Sequence, residues 1–292
     1  MSERILKALM QLFAIVSKVD GITSASRGIV ESFLKQQLSL DLVDQYLAVF
    51  DEFIASHVNV AKRKDGSEKR TSLNSVKVLR ICTQINAELT QKQKVVVLIR
   101  LLEFVHSNYG ISDQELLFVQ TVSELFNVDE AEFVRIKRFV EGKINTVADI
   151  SEILVIDAHV TNAYQNAHHI FAESLGNSSI LVLYVPSVGM YACRYFGVGE
   201  LNLNGQSMIL NKVYILTPGS SLRSSKVQPI YYSDIISSFL SSKTSSRITF
   251  HANNLEFTFT GGKLGLRGVN IHEESGKMIG IMGGSGAGKS TL

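Results

Sequence analysis

The residues most able to do chemistry lie together at the C-terminal end of the chain. Gly283-Gly284-Ser285-Gly286-Ala287-Gly288-Lys289-Ser290 satisfies the pattern G-x-x-x-x-G-K-[ST] at every fixed position. Such a loop is suited to gripping phosphate. Successive backbone N–H groups can converge on an anion only where no side chain blocks the approach, and the glycines ensure that. A helix opening at Ser290-Thr291 would add partial positive charge at its N-terminus. The Lys289 ammonium would reach the β- and γ-phosphates, and the Ser290 hydroxyl would be a ligand for Mg²⁺. The candidate binding set is therefore Gly283, Gly284, Ser285, Gly286, Ala287, Gly288, Lys289, Ser290 and Thr291, with Ser290 also the candidate metal ligand. No Ser/His/Asp or Cys/His arrangement is legible in the spacing, so no catalytic residue is assigned.

A phosphate loop must be positioned by the strand before it. The apolar run Met278–Met282 predicts a buried strand leading into the glycines. Upstream, Ile248–Phe259 alternates as one or two strands, and Gly268–Lys277 reads as a strand closed by a tight turn at Gly276. Residues 247–292 thus form one region. Residues 146–246 form a second, in which the hydrophobic period is two: Ile180–Val185, Met190–Phe196, Leu201–Gly205 and Lys212–Gly219 read as short strands of a small antiparallel sandwich or barrel. The segment Asp157–Leu175 has an ambiguous pattern, and a short helix is expected at Asp234–Leu240.

Residues 1–145 have helical periodicity throughout. They lack proline, the strongest helix breaker; all three prolines fall between Pro186 and Pro229. This region also looks duplicated. Leu9–Leu34 parallels Val97–Val122, with Gly21 falling on Gly110 and Ile22 on Ile111. A polar N-cap and an amphipathic helix follow each copy, from Ser39 and from Asp129. Six to eight helices in a pseudo-symmetric bundle are expected. The polar stretch Ala61–Thr71 reads as an exposed loop.

Composition bounds these readings. The 292 residues suit two domains of about 150 residues each, or three smaller ones. With 45% hydrophobic and 19% charged residues the chain is globular. A net charge of +2 argues against a nucleic-acid coat protein. Two distant cysteines, Cys82 and Cys193, support neither a disulfide framework nor a Cys-based zinc site. The longest apolar stretches are interrupted, Val95–Val105 by Arg100 and Glu103, and Leu181–Ala192 by Pro186 and Gly189, so none reaches the ~18 residues of a membrane span. His168-His169 reads as part of a solvated loop.

Leu255–Leu292 resembles the start of an ATP-binding cassette (ABC) ATPase domain, most closely transporters of the ABCG type, whose cassette precedes the membrane domain on one chain. Leu266, Val269 and the run from Ile281 to Leu292 carry the likeness. The resemblance implies ATP and Mg²⁺ as cofactors and an aromatic residue stacking on adenine. Phe259 is the best match, and Phe257 lies on the same strand face. It also implies a membrane domain further along the same polypeptide, pairing of two cassettes as a homodimer or heterodimer, and a place on the cytoplasmic side of the cell membrane. The Q-loop, signature motif, Walker B carboxylate and switch histidine are not present by Leu292, so the chain reads as a fragment that binds ATP without hydrolysing it.

Two further resemblances concern the other regions. Leu9–Ile22 and Ile85–Val105 resemble the TerB-like helical domain, named for a tellurite-resistance protein. Acidic residues around the interhelical turns of that family suggest cation binding. Here Asp20 faces Tyr109 in the second copy and Ser26 faces Glu115, so Asp20, Asp113 and Glu115 read as helix-cap or first-turn residues. The β region stands where some ABC transporters carry a forkhead-associated module, but it lacks that module's Gly-Arg and Ser-x-x-His signatures. The expected fold is multidomain α+β: an internally duplicated helical bundle, a small antiparallel β domain, and the first strands and P-loop of an ABC ATPase. An alternative makes the first two regions an interaction or regulatory module carrying a phosphate loop that does not hydrolyse.

Overall fold

The computed structural model describes residues 2–17, 23–35, 37–62, 67–107, 112–147, 150–160, 164, 166–241, 249–274 and 278–292. It divides into two compact units, Met1–Ser238 and Phe239–Leu292.

The first unit begins with eight helices among the described residues: α1 (Glu3–Val16), α2 (Ser24–Lys35), α3 (Leu40–Lys62), α4 (Ser67–Glu88), α5 (Gln91–His106), α6 (Asp113–Leu125), α7 (Glu130–Glu141) and α8 (Ile144–Val147). The duplicated pattern becomes duplicated structure. The pairs α1–α2 and α5–α6 are followed by α3 and α7 in the same order. The Gly21-Ile22 and Gly110-Ile111 turns, with Asp20 and Tyr109, lie outside the described residues. The polar stretch Ala61–Thr71 differs from expectation. α3 runs through Lys62 and α4 starts at Ser67, so helix occupies most of it. Lys, Arg and Glu propagate a helix well, and charge density alone does not end one.

Caps fix where the helices start. Thr90 and Gln93 form a capping box on α5, and Ser112 and Glu115 form another on α6. Asp129 caps α7 by accepting from the backbone of Ala131 and Glu132. Glu115 thus does the cap work expected of it, and Asp113 is the first residue of α6. α5 is buried on nearly all sides, as its run of apolar residues on every face demands. Phe104 on α5 meets Phe13 of α1 and Phe50 of α3 edge-on, with ring centroids 5.6 and 6.2 Å apart.

A β region follows: β1 (Ile153–Asp157), β2 (His168–Phe171), β3 (Ser179–Val185), β4 (Met190–Phe196), β5 (Asn202–Leu203), β6 (Gln206–Ser207), β7 (Tyr214–Leu216), β8 (Ser221–Arg223) and β9 (Ile230–Tyr231), then α9 (Tyr232–Ser241). Five strands form a sheet in the order β2-β1-β3-β4-β7, and four short ones a sheet in the order β6-β5-β8-β9. The pairings are antiparallel except that β1 and β2 run parallel. That exception lies within the segment of ambiguous pattern. Strands β1, β3 and β4 are buried on both faces, and their alternation divides the side chains between two cores. Ile153, Val155, Leu181, Leu183, Met190 and Ala192 join the same core as the helices. Leu154, Ile156, Ile180, Val182, Cys193 and Tyr195 are buried outside that cluster. Helices and β region therefore share one hydrophobic core within the first unit.

The second unit is a hairpin and a loop. β10 (Thr249–Thr258) pairs antiparallel with β11 (Leu264–Glu274) through a turn in which Gly261 and Gly262 have positive φ. The expected strand at Met278–Met282 does not form. Met278 and Met282 are exposed, and the residues run as irregular chain because no neighbouring strand offers them a ladder. Gly276 lies outside the described residues.

Candidate functional site

The glycine-rich loop Gly283–Ser290 follows directly on this irregular stretch. Gly286 (φ +81°) and Gly288 (φ +86°) hold the left-handed backbone that side chains resist. The loop is tied across itself by the Ala287 N–H donating to Gly284 O at 3.3 Å. Lys289 folds back over it, and its Nζ donates to the carbonyls of Gly283 and Gly284, both at 2.7 Å. The ammonium therefore stands at the loop's mouth, exposed to solvent. Thr291 N and Leu292 N both donate to Gly288 O, the start of a helical turn rather than the helix expected from Ser290. Ser290 is exposed.

The glycines of the loop differ in the room around them. A Cβ at Gly284 or Gly286 would meet nothing within 4 Å, so these backbones are open to an incoming group. Gly283 and Gly288 have no such room. A Cβ there would come 3.2 Å from the Ala287 Cβ and 3.3 Å from Gly265 O respectively. The last contact sets the end of the loop against β11.

The same glycine of β11 carries the aromatic candidates. Phe259 sits just past the end of β10, and a Cβ on Gly265 would lie 2.6 Å from its Cε2 and 3.1 Å from Phe257 Cδ1. The two rings meet edge-on at 5.0 Å between centroids and remain about half exposed. Phe257 and Phe259 thus lie on one face, as the alternation requires, and share Gly265 as their floor. Gly265 has an aromatic pair over its Cα and the loop's Gly288 beside its carbonyl.

A second cluster lies in the first unit, at the end of β1. Asp157 accepts at Oδ1 from the backbone N–H of His159, and the ring Nε2 of His169 stands 2.9 Å from the same oxygen. Nδ1 of His159 lies 3.0 Å from Oδ2. Burial pushes the Asp157 carboxyl up, but the hydrogen bonds from His169 and His159 outweigh it and leave the group below its ordinary value. His168 and His169 are therefore not in a solvated loop. They belong to β2, and the parallel pairing with β1 brings His169 to Asp157. The expectation failed because a parallel partner reached by crossover leaves no local turn signal.

A third cluster joins helix to sheet. Arg100 and Glu103, one turn apart on α5, are both buried, with Nη1 2.5 Å from Oε2. Arg100 Nη1 also donates to Val213 O at 2.8 Å, and Val213 N donates to Glu103 Oε1 at 2.7 Å. Arg100 Nε and Nη2 are buried with no partner among the described residues. Nearby, Lys212 Nζ donates to Ser32 Oγ at 2.6 Å, and burial together with the Arg100 charge lowers its pKa despite Glu103 and Glu31. Arg194 of β4 reaches the end of α7, donating to Phe139 O and to Gly142 O. Burial brings its guanidinium down to about 10, with Glu103 opposing. Sequence reading saw Arg100 and Glu103 only as interruptions of an apolar run.

Among the described residues, no three His, Cys, Asp or Glu side chains are arranged to hold a metal ion, and no helix is long and apolar enough to cross a membrane. Cys82 and Cys193 are both buried free thiols. No curated protein and no solved structure matches the chain. Residues 6–138, which run from α1 into α7, match the family model described as tellurite resistance protein TerB.

Proposed function

We propose that the second unit is the opening of an ABC-type ATPase cassette and that Gly283–Ser290 binds the phosphates of Mg-ATP. One observation carries the reading: the Lys289 ammonium is folded over the carbonyls of Gly283 and Gly284, above backbone positions that stand open to an anion. On binding, Lys289 would exchange those two carbonyls for phosphate oxygens, and the open amides of Gly284 and Gly286 would face the same charge. Ser290 would be the Mg²⁺ ligand from this chain. ATP supplies the phosphoryl group whose transfer would drive transport, with the membrane domain and a second cassette as partners on the cytoplasmic side of the membrane. Phe259, with Phe257 against it, offers an aromatic face to a base. Titration of the gene's whole polypeptide with Mg-ATP, wild type against Lys289→Ala, tests the reading. Loss of at least about tenfold in affinity supports it, and equal affinity refutes it.

A second reading is favoured by the common core of the TerB domain and β region. It makes the first unit a cytosolic interaction or regulatory module. Recovery of the first unit with soluble rather than membrane partners, together with no effect of Lys289→Ala, would favour it.

A further inference from the structure

Two histidines of the second unit face each other across the hairpin. His251 of β10 and His272 of β11 are register partners, so both side chains project from one face of the two-stranded sheet. Their Nδ1 atoms stand 2.7 Å apart, with the ring planes inclined at 65° and the centroids 4.0 Å apart. One ring donates and the other accepts. Both residues are exposed, so water reaches the pair. The histidines play no part in the phosphate loop, and the hairpin around them is held by the backbone ladder rather than by their contact.

We propose that this pair is a two-histidine site for a divalent late-transition metal, copper or nickel in preference to zinc. Imidazole nitrogen is a favoured donor for these ions. With metal–nitrogen bonds of about 2.0–2.1 Å, two ligands at a right angle stand about 2.9 Å apart, and at a tetrahedral angle about 3.3 Å apart. The 2.7 Å separation is that of a hydrogen bond, which a bound ion would replace, and copper heads the affinity order of divalent first-row ions for nitrogen donors. The two Nδ1 atoms already converge, so once the donor ring gives up its Nδ1 proton binding needs only ring rotations and no change in the strands. The donor ring moves its proton from Nδ1 to Nε2, losing one to water and taking one back, and both rings then ligate as neutral imidazoles. Exposed positions leave water to complete the coordination. Glu274 is on the same face one pair along, opposite Thr249, and among the described residues no third protein ligand joins the two histidines.

The test is titration of the intact chain with Cu²⁺, and separately with Ni²⁺ and Zn²⁺, by calorimetry. Electron paramagnetic resonance of the one-equivalent copper form counts nitrogen ligands. Expected are one site, splitting from two nitrogens, and copper bound more tightly than zinc. His251→Ala and His272→Ala should each weaken that site by at least about tenfold, while His169→Ala, a histidine of the first unit, leaves it unchanged. Both strand positions are exposed, and circular dichroism will show that the variants fold. A site that survives both substitutions, is lost in His169→Ala, or prefers zinc to copper overturns the proposal.

Discussion

Glu103→Ala is the most informative single substitution in the first unit. Its carboxylate accepts from Arg100 at 2.5 Å and from the Val213 N–H at 2.7 Å, and Arg100 is only 1% exposed. Truncation leaves a guanidinium buried with Val213 O alone, on top of the two donors that already lack partners. Breaking a buried pair in this way costs about 3–5 kcal/mol. The stranded Val213 amide would cost about 1–3 kcal/mol by itself, but water entering the space left by the carboxylate would serve both groups, so the two costs overlap. An expectation of ~4 kcal/mol follows, against a total stability of about 5–15 kcal/mol for a domain. The double variant Arg100→Met/Glu103→Gln removes the charge and keeps an acceptor for Val213. It should cost about 2 kcal/mol or less, well under the sum of the single changes. Urea unfolding of Arg100→Met, Glu103→Gln and the double variant, followed by helical circular dichroism, would supply the double-mutant cycle. Should Glu103→Ala cost under about 1 kcal/mol, or the two changes add without coupling, the pair is not the electrostatic seam described here.

Two further outcomes follow from shifted groups. Asp157 has a folded-state pKa below its unfolded value of about 3.9, so its stabilisation is present above that value and is lost as pH falls through the folded pKa. Asp157→Asn should flatten the acid limb of a plot of Tm against pH, and an unaltered limb would contradict the His169 and His159 contacts. Cys82 and Cys193 are both pushed up to about 12 by burial. At pH 8 a disulfide reagent should label the native chain about a thousandfold or more slowly than the unfolded one; rapid labelling of either thiol would show that its pocket opens.

The helical half was legible because amphipathic periodicity and capping residues are local signals. Asp129 was readable as an N-cap and does cap α7, and α3 starts directly after Ser39. The β region was partly legible. β3, β4, β7 and α9 lie where alternation and turn residues put them, whereas β1 and β2 pair through a crossover whose signal is spread over the intervening chain. Charge misled in one place. Ala61–Thr71 looked like a loop and is largely helix, while Arg100 and Glu103, which interrupt the apolar run as read, also form the buried link to Val213, which no spacing announced. The glycine-rich pattern of Gly283–Ser290 was visible as a motif. The fold of Lys289 onto Gly283 and Gly284, and Gly265 beneath Phe259, depend on close approach in space and leave no trace in spacing.

The end of the TerB match, residue 138, falls inside α7, whose next two residues, Phe139 and Val140, are core and whose final carbonyls are held by Arg194. Recombinant excision at that point would sever a helix one turn early, strip its terminal carbonyls of their cation and bare an oily flank of α5 to water. Residue 138 is therefore where sequence similarity stops, but a cut there would not free a self-sufficient module.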